Sequence, residues 1–135
     1  MNIQKKLKVF LIEDAAKIRS ILIEILHQTG QIEVVGFAES ERDALQQLRS
    51  REWDVAIVDI GLREGTGLGV LKGLKSDGKA YGKRFLFSSN SNTAFKNRTL
   101  ALGADGFFDK ARDMDALVSQ LQAMVHWNEG SVQSS

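Results

Sequence analysis

Five times along the chain a short apolar run gives way to a segment whose apolar residues recur at helical spacing, and this alternation limits the fold more than any other feature. LKVFLI (7–12) stops at Glu13-Asp14; Ile18, Ile21, Leu22, Ile25 and Leu26 then predict one face of a helix over 15–27, with Gly30 as its stop. IEVVGFA (32–38) is rich in β-branched residues and leads to Ser40, an N-cap with Asp43 three residues on, for a helix over 41–51 with Ala44, Leu45 and Leu48 inward. VAIVD (55–59) enters the loop GLREGTG, followed by a helix over 67–76 carrying Leu68, Leu71 and Leu74. Gly69 and Gly73 weaken the preference of that helix. After the loop DGKAYGK (77–83), RFLFSS (84–89) reads as a fourth strand, with a helix over 92–102 behind it. GADGFFD (103–109) reads as a short fifth strand. A last helix is expected over 113–127, with Met114, Leu117, Val118, Leu121 and Val125 on one side, and NEGSVQSS (128–135) as a polar tail.

Strands that read as continuous apolar runs suit parallel strands covered on both faces. The expectation is an α/β fold with a doubly wound five-stranded parallel sheet, one domain over 1–127 and a tail over 128–135. A length of 135 residues fits a single core, and 43% hydrophobic with 26% charged residues excludes a disordered chain. The net charge of +1 exerts no general pull on nucleic acid or anionic membranes. With no cysteine, disulfide scaffolds and thiolate metal sites drop out, and a reducing compartment is compatible. The apolar runs fall short of the ~20 residues of a membrane helix, and MNIQKKLK has no signal-peptide core. A cytoplasmic, soluble protein is expected.

In a doubly wound sheet, ligands bind outside the carboxyl ends of the strands. Glu13-Asp14 end the first strand, Asp59 the third and Ser88 the fourth, while Lys110 follows the fifth. Each alone has an ordinary explanation. Asp59 suits a turn cap, Glu13-Asp14 a helix N-cap, Ser88 with Ser89-Asn90-Ser91 a loop, and a lone lysine a solvated charge. Together, three acids repel one another unless a cation neutralises them. Oxygen donors without His or Cys favour Mg²⁺ or Mn²⁺. A hard metal beside a lysine and a hydroxyl suits a phosphoryl group, with Asp59 as ligand and nucleophile together.

FLIED (10–14), VAIVDIGL (55–62) with Gly67 beyond it, FLFSS (85–89) and GADGFFDKA (103–111) resemble, in order and spacing from Lys8 to His126, the receiver domain of bacterial two-component response regulators. The resemblance implies a flavodoxin-like (βα)5 fold in which Asp59 accepts a phosphoryl group from a histidine kinase or histidine phosphotransfer protein. It implies that Glu13 and Asp14 form the acidic pair, Asp14 being the more direct metal ligand, and that the backbone carbonyl of Gly61 adds a ligand. Lys110 would contact the phosphoryl oxygens, and Ser88 stands where the family has Thr or Ser. Phe107 matches the switch aromatic that turns inward as Ser88 moves. Such a chain is a phosphoacceptor that assists its own phosphorylation and dephosphorylation rather than an enzyme. The change would reach a downstream protein through the helix 4–strand 5–helix 5 face, near Lys96, Phe107 and the outer side of 113–126. Dimerisation on activation stays open; direct nucleic-acid or membrane binding by this chain is not expected. Eight residues after Trp127 are too few for a helix-turn-helix output domain, which favours a stand-alone receiver. IEVVGFAESERDALQQL nevertheless resembles the second strand and helix of DNA-binding regulators, so an excised receiver is the alternative. A receiver-like binding module independent of phosphorylation is another.

Departures from the pattern matter. Ala111 stands where the family usually has a proline in a cis bond; a non-proline cis bond costs roughly 2.5–4 kcal/mol, so a trans or a strained cis bond is expected. Arg63 replaces another frequent proline, and Phe107 lacks the hydroxyl of the commoner tyrosine. Gly61 and Asn90 are small or modest, which leaves Asp59 open to water. Trp53 and Trp127 are expected at the opposite rim. A haloacid-dehalogenase-type phosphatase would want a second Asp where Gly61 stands, and a dinucleotide-binding protein would want glycines in EDAAKIRS.

Overall fold

In the computed structural model, which describes residues 5–90 and 92–133, the strands are β1 (Leu7–Ile12), β2 (Ile32–Ala38), β3 (Val55–Val58), β4 (Lys83–Ser88) and β5 (Gly106–Asp109). The helices between and after them are α1 (Ala16–Gln28), α2 (Glu41–Ser50), α3 (Gly67–Ser76), α4 (Thr93–Ala101) and α5 (Met114–Gln133). Every strand pairing is parallel, in the order β2-β1-β3-β4-β5. This is the doubly wound sheet that the alternation predicts. Its strand order reverses at β1, so the crevice between the carboxyl ends of β1 and β3 is the switch point.

Side chains alternate across a strand, and β1 accordingly feeds two cores. Leu7, Val9 and Leu11 join Val55, Ile57, Phe85 and Phe87 against Leu22 and Leu26 of α1 and Leu117, Leu121 and Val125 of α5. Phe10 and Ile12 join Ala56, Val58 and Leu86 against Ala44 and Leu48 of α2 and Val70, Leu71 and Leu74 of α3. Each such buried aliphatic side chain stabilises the fold by about 1.5–3 kcal/mol relative to exposure. Packing from both sides fixes the strand ends, and with them the residues of the rim.

Several boundaries differ from the sequence expectation. Ile21 is 45% exposed; α1 buries Leu22 and Leu26, so its apolar stripe is wider than the face it buries. β5 begins at Gly106 rather than 103: Gly103 has φ +100°, and Ala104 N–H donates to the Thr99 carbonyl, which makes 103–105 the close of α4. Asp59 falls one residue beyond β3, and β4 begins and ends one residue early. α5 runs to Gln133, past the expected end at 127, since the polar stretch carries no proline to stop it. The side chain of Trp127 and residue Ser91 lie outside what is described. The glycines of α3 are contact points: a Cβ at Gly73 would lie 2.8 Å from Leu45 Cδ2, so glycine lets α2 and α3 close together.

At the amino ends of the strands, Arg49 grips Asp77 through two nitrogens at 2.8 and 3.1 Å, and Tyr81 Oη donates to Asp77 Oδ2 at 2.7 Å. Tyr81 stacks on Trp53, whose Nε1 donates to the Leu48 carbonyl. Trp53 thus lies at the rim away from Asp59, as expected. Among the described residues, no helix is long and apolar enough to cross a membrane.

Candidate functional site

The parallel ladder delivers the acids side by side. Asp59 N–H donates to the Ile12 carbonyl at 2.9 Å and Glu13 N–H to the Ala38 carbonyl at 3.0 Å, which anchors both backbones at the strand ends. Glu13, Asp59 and Ser88 are buried; Asp14 is half-buried. From the β5–α5 loop, Lys110 Nζ reaches Glu13 Oε1 at 2.7 Å and Asp59 Oδ2 at 2.8 Å. Burial pushes the Glu13 carboxyl above its usual pKa, against the opposing hydrogen bonds from Lys110 and the Ala15 N–H. Burial also pulls the Lys110 ammonium down, but hydrogen bonds to Asp59 and Glu13 outweigh it and the net shift is upward. Lys110 therefore stays charged.

Asp59 is both capped and exposed to chemistry. Its Oδ1 accepts from the Ile60 N–H at 2.8 Å, which is the turn-cap role, while Oδ2 faces Lys110. Glu13 Oε2 accepts from the Ala15 N–H at 3.1 Å, so Glu13 also secures the entry to α1, whose N-cap residue Ala15 offers no side-chain cap. One carboxylate oxygen each from Glu13, Asp14 and Asp59 lies within 4.8 Å of the others. Three oxygens at that spacing, without nitrogen or sulfur, make a group able to hold a hard divalent metal.

Beyond Asp59 the loop 61–66 folds back on itself: Gly61 and Thr66 pair antiparallel, and Gly67 N–H donates to the Ile60 carbonyl at 2.8 Å. A Cβ at Gly67 would collide with the Asp59 carbonyl oxygen, so only glycine lets α3 start so close beneath the acid. Ser88 reaches the rim from β4; its carbonyl accepts the Lys110 N–H at 3.0 Å and its Oγ accepts the Asn90 N–H at 3.2 Å. Phe107 pairs with Leu86, half-buried against the α2–α4 side, with Lys96 Nζ 5.6 Å from its ring centroid. Glu13, Asp14, Asp59 and Lys110 thus converge, Ser88 joins through the backbone, and Phe107 sits two pairings back from Ser88 along the β4–β5 ladder.

The Lys110–Ala111 bond is trans, since no cis peptide occurs among the described residues. Its geometry brings in a residue the sequence reading passed over. Asp109 is buried and its Oδ1 accepts the Ala111 N–H at 2.8 Å, while its own N–H donates to Asp113 Oδ2 at 2.8 Å. The amide that a proline would lack is present here and satisfied. An acid two residues before a non-proline position is an Asx-turn signal, and FFDKA carries it. Arg19 was also missed: its Nη1 donates to the Glu13 carbonyl at 2.8 Å and lies 3.3 Å from Glu39 Oε2. That pairing spans separate elements and leaves no local signature.

The fold and the rim define an α/β domain that presents a lysine-bridged acidic crevice at its switch point. The sequence profile of the response regulator receiver domain matches residues 9–122, and the chain belongs to that family, the receivers of two-component systems. It is 30% identical over 129 residues to the two-component response regulator PhoP of Pseudomonas aeruginosa, covering 96% of this chain and 56% of that protein. It is 32% identical over 103 residues to the DNA-binding transcriptional activator DevR/DosR of Mycobacterium tuberculosis, covering 76% of this chain and 47% of that protein. The chain therefore spans about half the length of these relatives. The same fold recurs in the CheX–CheY–BeF3–Mg²⁺ complex from Borrelia burgdorferi, with a TM-score of 0.79 at 15% identity over 89% of this chain and 90% of that one.

Proposed function

We propose that this receiver is a phosphorylation-dependent switch in which Asp59 takes a phosphoryl group from a histidine kinase or histidine phosphotransfer protein. The observation that carries it is the position of Asp59: buried at the switch point, with one oxygen on the Ile60 N–H and the other 2.8 Å from Lys110. In the transfer, an Asp59 oxygen forms the new O–P bond while the donor's bond to phosphorus breaks and the donor keeps the electron pair. Lys110, already at that oxygen, meets the charge on the phosphoryl oxygens. Asp14, Asp59, Glu13 and the Gly61 carbonyl would hold Mg²⁺ or Mn²⁺, which supplies charge neutralisation to the phosphoryl group. Asp14 is the more direct ligand, because Glu13 is engaged by Lys110 and the Ala15 N–H. Ser88 and Phe107 relay the change to the α4–β5–α5 face, where a downstream protein reads it. On this reading the chain assists its own phosphorylation and dephosphorylation, and acts in the cytoplasm.

The test is intact-protein mass after incubation with acetyl phosphate, with and without Mg²⁺, beside Asp59→Asn. A Mg²⁺-dependent gain of one phosphoryl mass, absent in the variant, supports the switch. No gain, together with no binding of beryllofluoride and Mg²⁺, points instead to a receiver fold used for binding alone. A second reading draws on the relatives, of which this chain matches about half: the receiver serves a DNA-binding regulator. DNA binding by the complete gene product, lost when the segment beyond the receiver is deleted, separates the two.

A further inference from the structure

The loop that carries Gly61 is loose by composition. It holds Gly61 and Gly65, the latter at φ +78°, and has Arg63 where the family often has a stiffening proline. The structure ties it down from outside, at the junction of β2 and α2. Glu41 N–H donates to the Glu64 carbonyl at 2.9 Å, and Ser40 and Glu64 form an isolated parallel bridge. Glu41 Oε1 accepts the Thr66 N–H at 3.0 Å, and Arg63 Nη2 lies 3.8 Å from Glu39 Oε1. Space has been cleared for this one carboxylate: a Cβ at Gly65 would strike Glu41 Cβ, and a Cβ at Gly69 would strike the Glu41 carboxylate. Thr66 is in turn the residue that faces Gly61 across the loop. Because Gly67 N–H closes the loop on Ile60, Gly61 and Thr66 form the non-hydrogen-bonded pair and turn their own amide groups outward. Thr66 turns its N–H to Glu41, which fixes the partner strand of the Gly61 carbonyl.

We propose that Glu41 is a positioning residue for the metal site, acting through Thr66 to hold the Gly61 carbonyl where a cation at Asp59 can use it. The proposal rests on the metal reading above. Glu41 itself stays off the cation: its carboxylate caps the start of α3, where a negative charge is favoured by the helix dipole.

The test is calorimetric titration of the unphosphorylated full chain with Mg²⁺, comparing wild type with Asp14→Asn, Glu41→Ala, Glu41→Gln, Gly69→Ala and Asp77→Ala. Glu41→Ala should weaken Mg²⁺ binding about tenfold, the low end of what loss of an outer-shell partner does to metal sites. Glu41→Gln keeps an oxygen acceptor for Thr66 and should stay near the wild-type affinity. Gly69→Ala displaces the carboxylate without removing it and should resemble Glu41→Ala. Asp77→Ala cuts a polar tie from Arg49 of α2 to the C-terminal end of α3, at the far rim, and should lower Tm while leaving Mg²⁺ affinity intact. Wild-type affinity in Glu41→Ala, or an equal loss in Asp77→Ala or in Glu41→Gln, overturns the positioning role. Absence of Mg²⁺ binding in the wild type, or its persistence in Asp14→Asn, overturns the metal reading itself and the Glu41 role with it.

Discussion

Lys110 Nζ lies 2.8 Å from Asp59 Oδ2, although 51 positions separate the two residues in the chain, and the same nitrogen is 2.7 Å from Glu13 Oε1. One ammonium therefore compensates two buried carboxylates. Lys110→Ala should destabilise the metal-free protein by about 3 kcal/mol, since breaking a buried pair strands its charges. Mg²⁺ should then stabilise the variant more than the wild type, because the cation and Lys110 answer the same negative charge. Urea unfolding in chelator and in Mg²⁺ measures both. Equal Mg²⁺ gains in the two proteins would contradict this sharing.

Gly67 has no room for a methyl group beneath the Asp59 carbonyl. Gly67→Ala should cost about 1–3 kcal/mol through overpacking and slow phosphoryl uptake from acetyl phosphate roughly tenfold or more by displacing Asp59. Gly73→Ala crowds Leu45 instead, away from the acids, and should lose stability with uptake retained. The comparison of mass-gain rates for the two variants decides whether the position or merely the stability of the fold is at stake.

Asp109 secures the Ala111 N–H next to Lys110. Asp109→Ala leaves that amide without its acceptor, which should cost about 1–3 kcal/mol, and frees the segment that aims Lys110. Asp109→Asn keeps an Oδ1 acceptor and should retain most of both stability and uptake. Should the two substitutions prove equally harmful, the turn is not what Asp109 contributes.

The Arg49–Asp77–Tyr81 cluster sets a pH window. The Arg49 hydrogen bond, then that of Tyr81, holds the Asp77 carboxyl below its ordinary 3.8, and the bond to Asp77 raises the Tyr81 hydroxyl above 10.0. The depressed acid contributes stability above pH 3.8 and loses it as pH falls through its lower folded value. The raised phenol contributes below pH 10.0 and loses it as pH rises through its higher folded value. The Tm difference between wild type and Asp77→Asn should be flat between those limits and shrink outside both. A difference that persists unchanged in acid would refute the assignment.

The sheet was legible because its central strands β1, β3 and β4 are buried on both faces and leave apolar runs. The rim was legible because Asp59 and Lys110 interrupt or follow such runs. Ile21 misled because α1 carries six large apolar residues, Ile23 among them, and only tertiary packing selects which face the sheet. Gly69 and Gly73 read as weak points in a helix, whereas they mark where Glu41 and Leu45 press against it. Glu41 itself had no signature: its partner Thr66 is 25 residues away, and its use depends on a loop conformation that no local pattern encodes.

Trp53 stands just before β3 and Asp59 just after it, so the clip of Arg49, Asp77, Tyr81 and Trp53 is a whole strand removed from the reactive acids. In many proteins heat tolerance and activity compete because the same strained residues serve both. Here the clip adds stability at the end of the sheet away from the acids, so it can be strengthened without touching them. Directed evolution aimed at the clip should harden the protein against heat while the geometry of the acids at the other end stays unchanged.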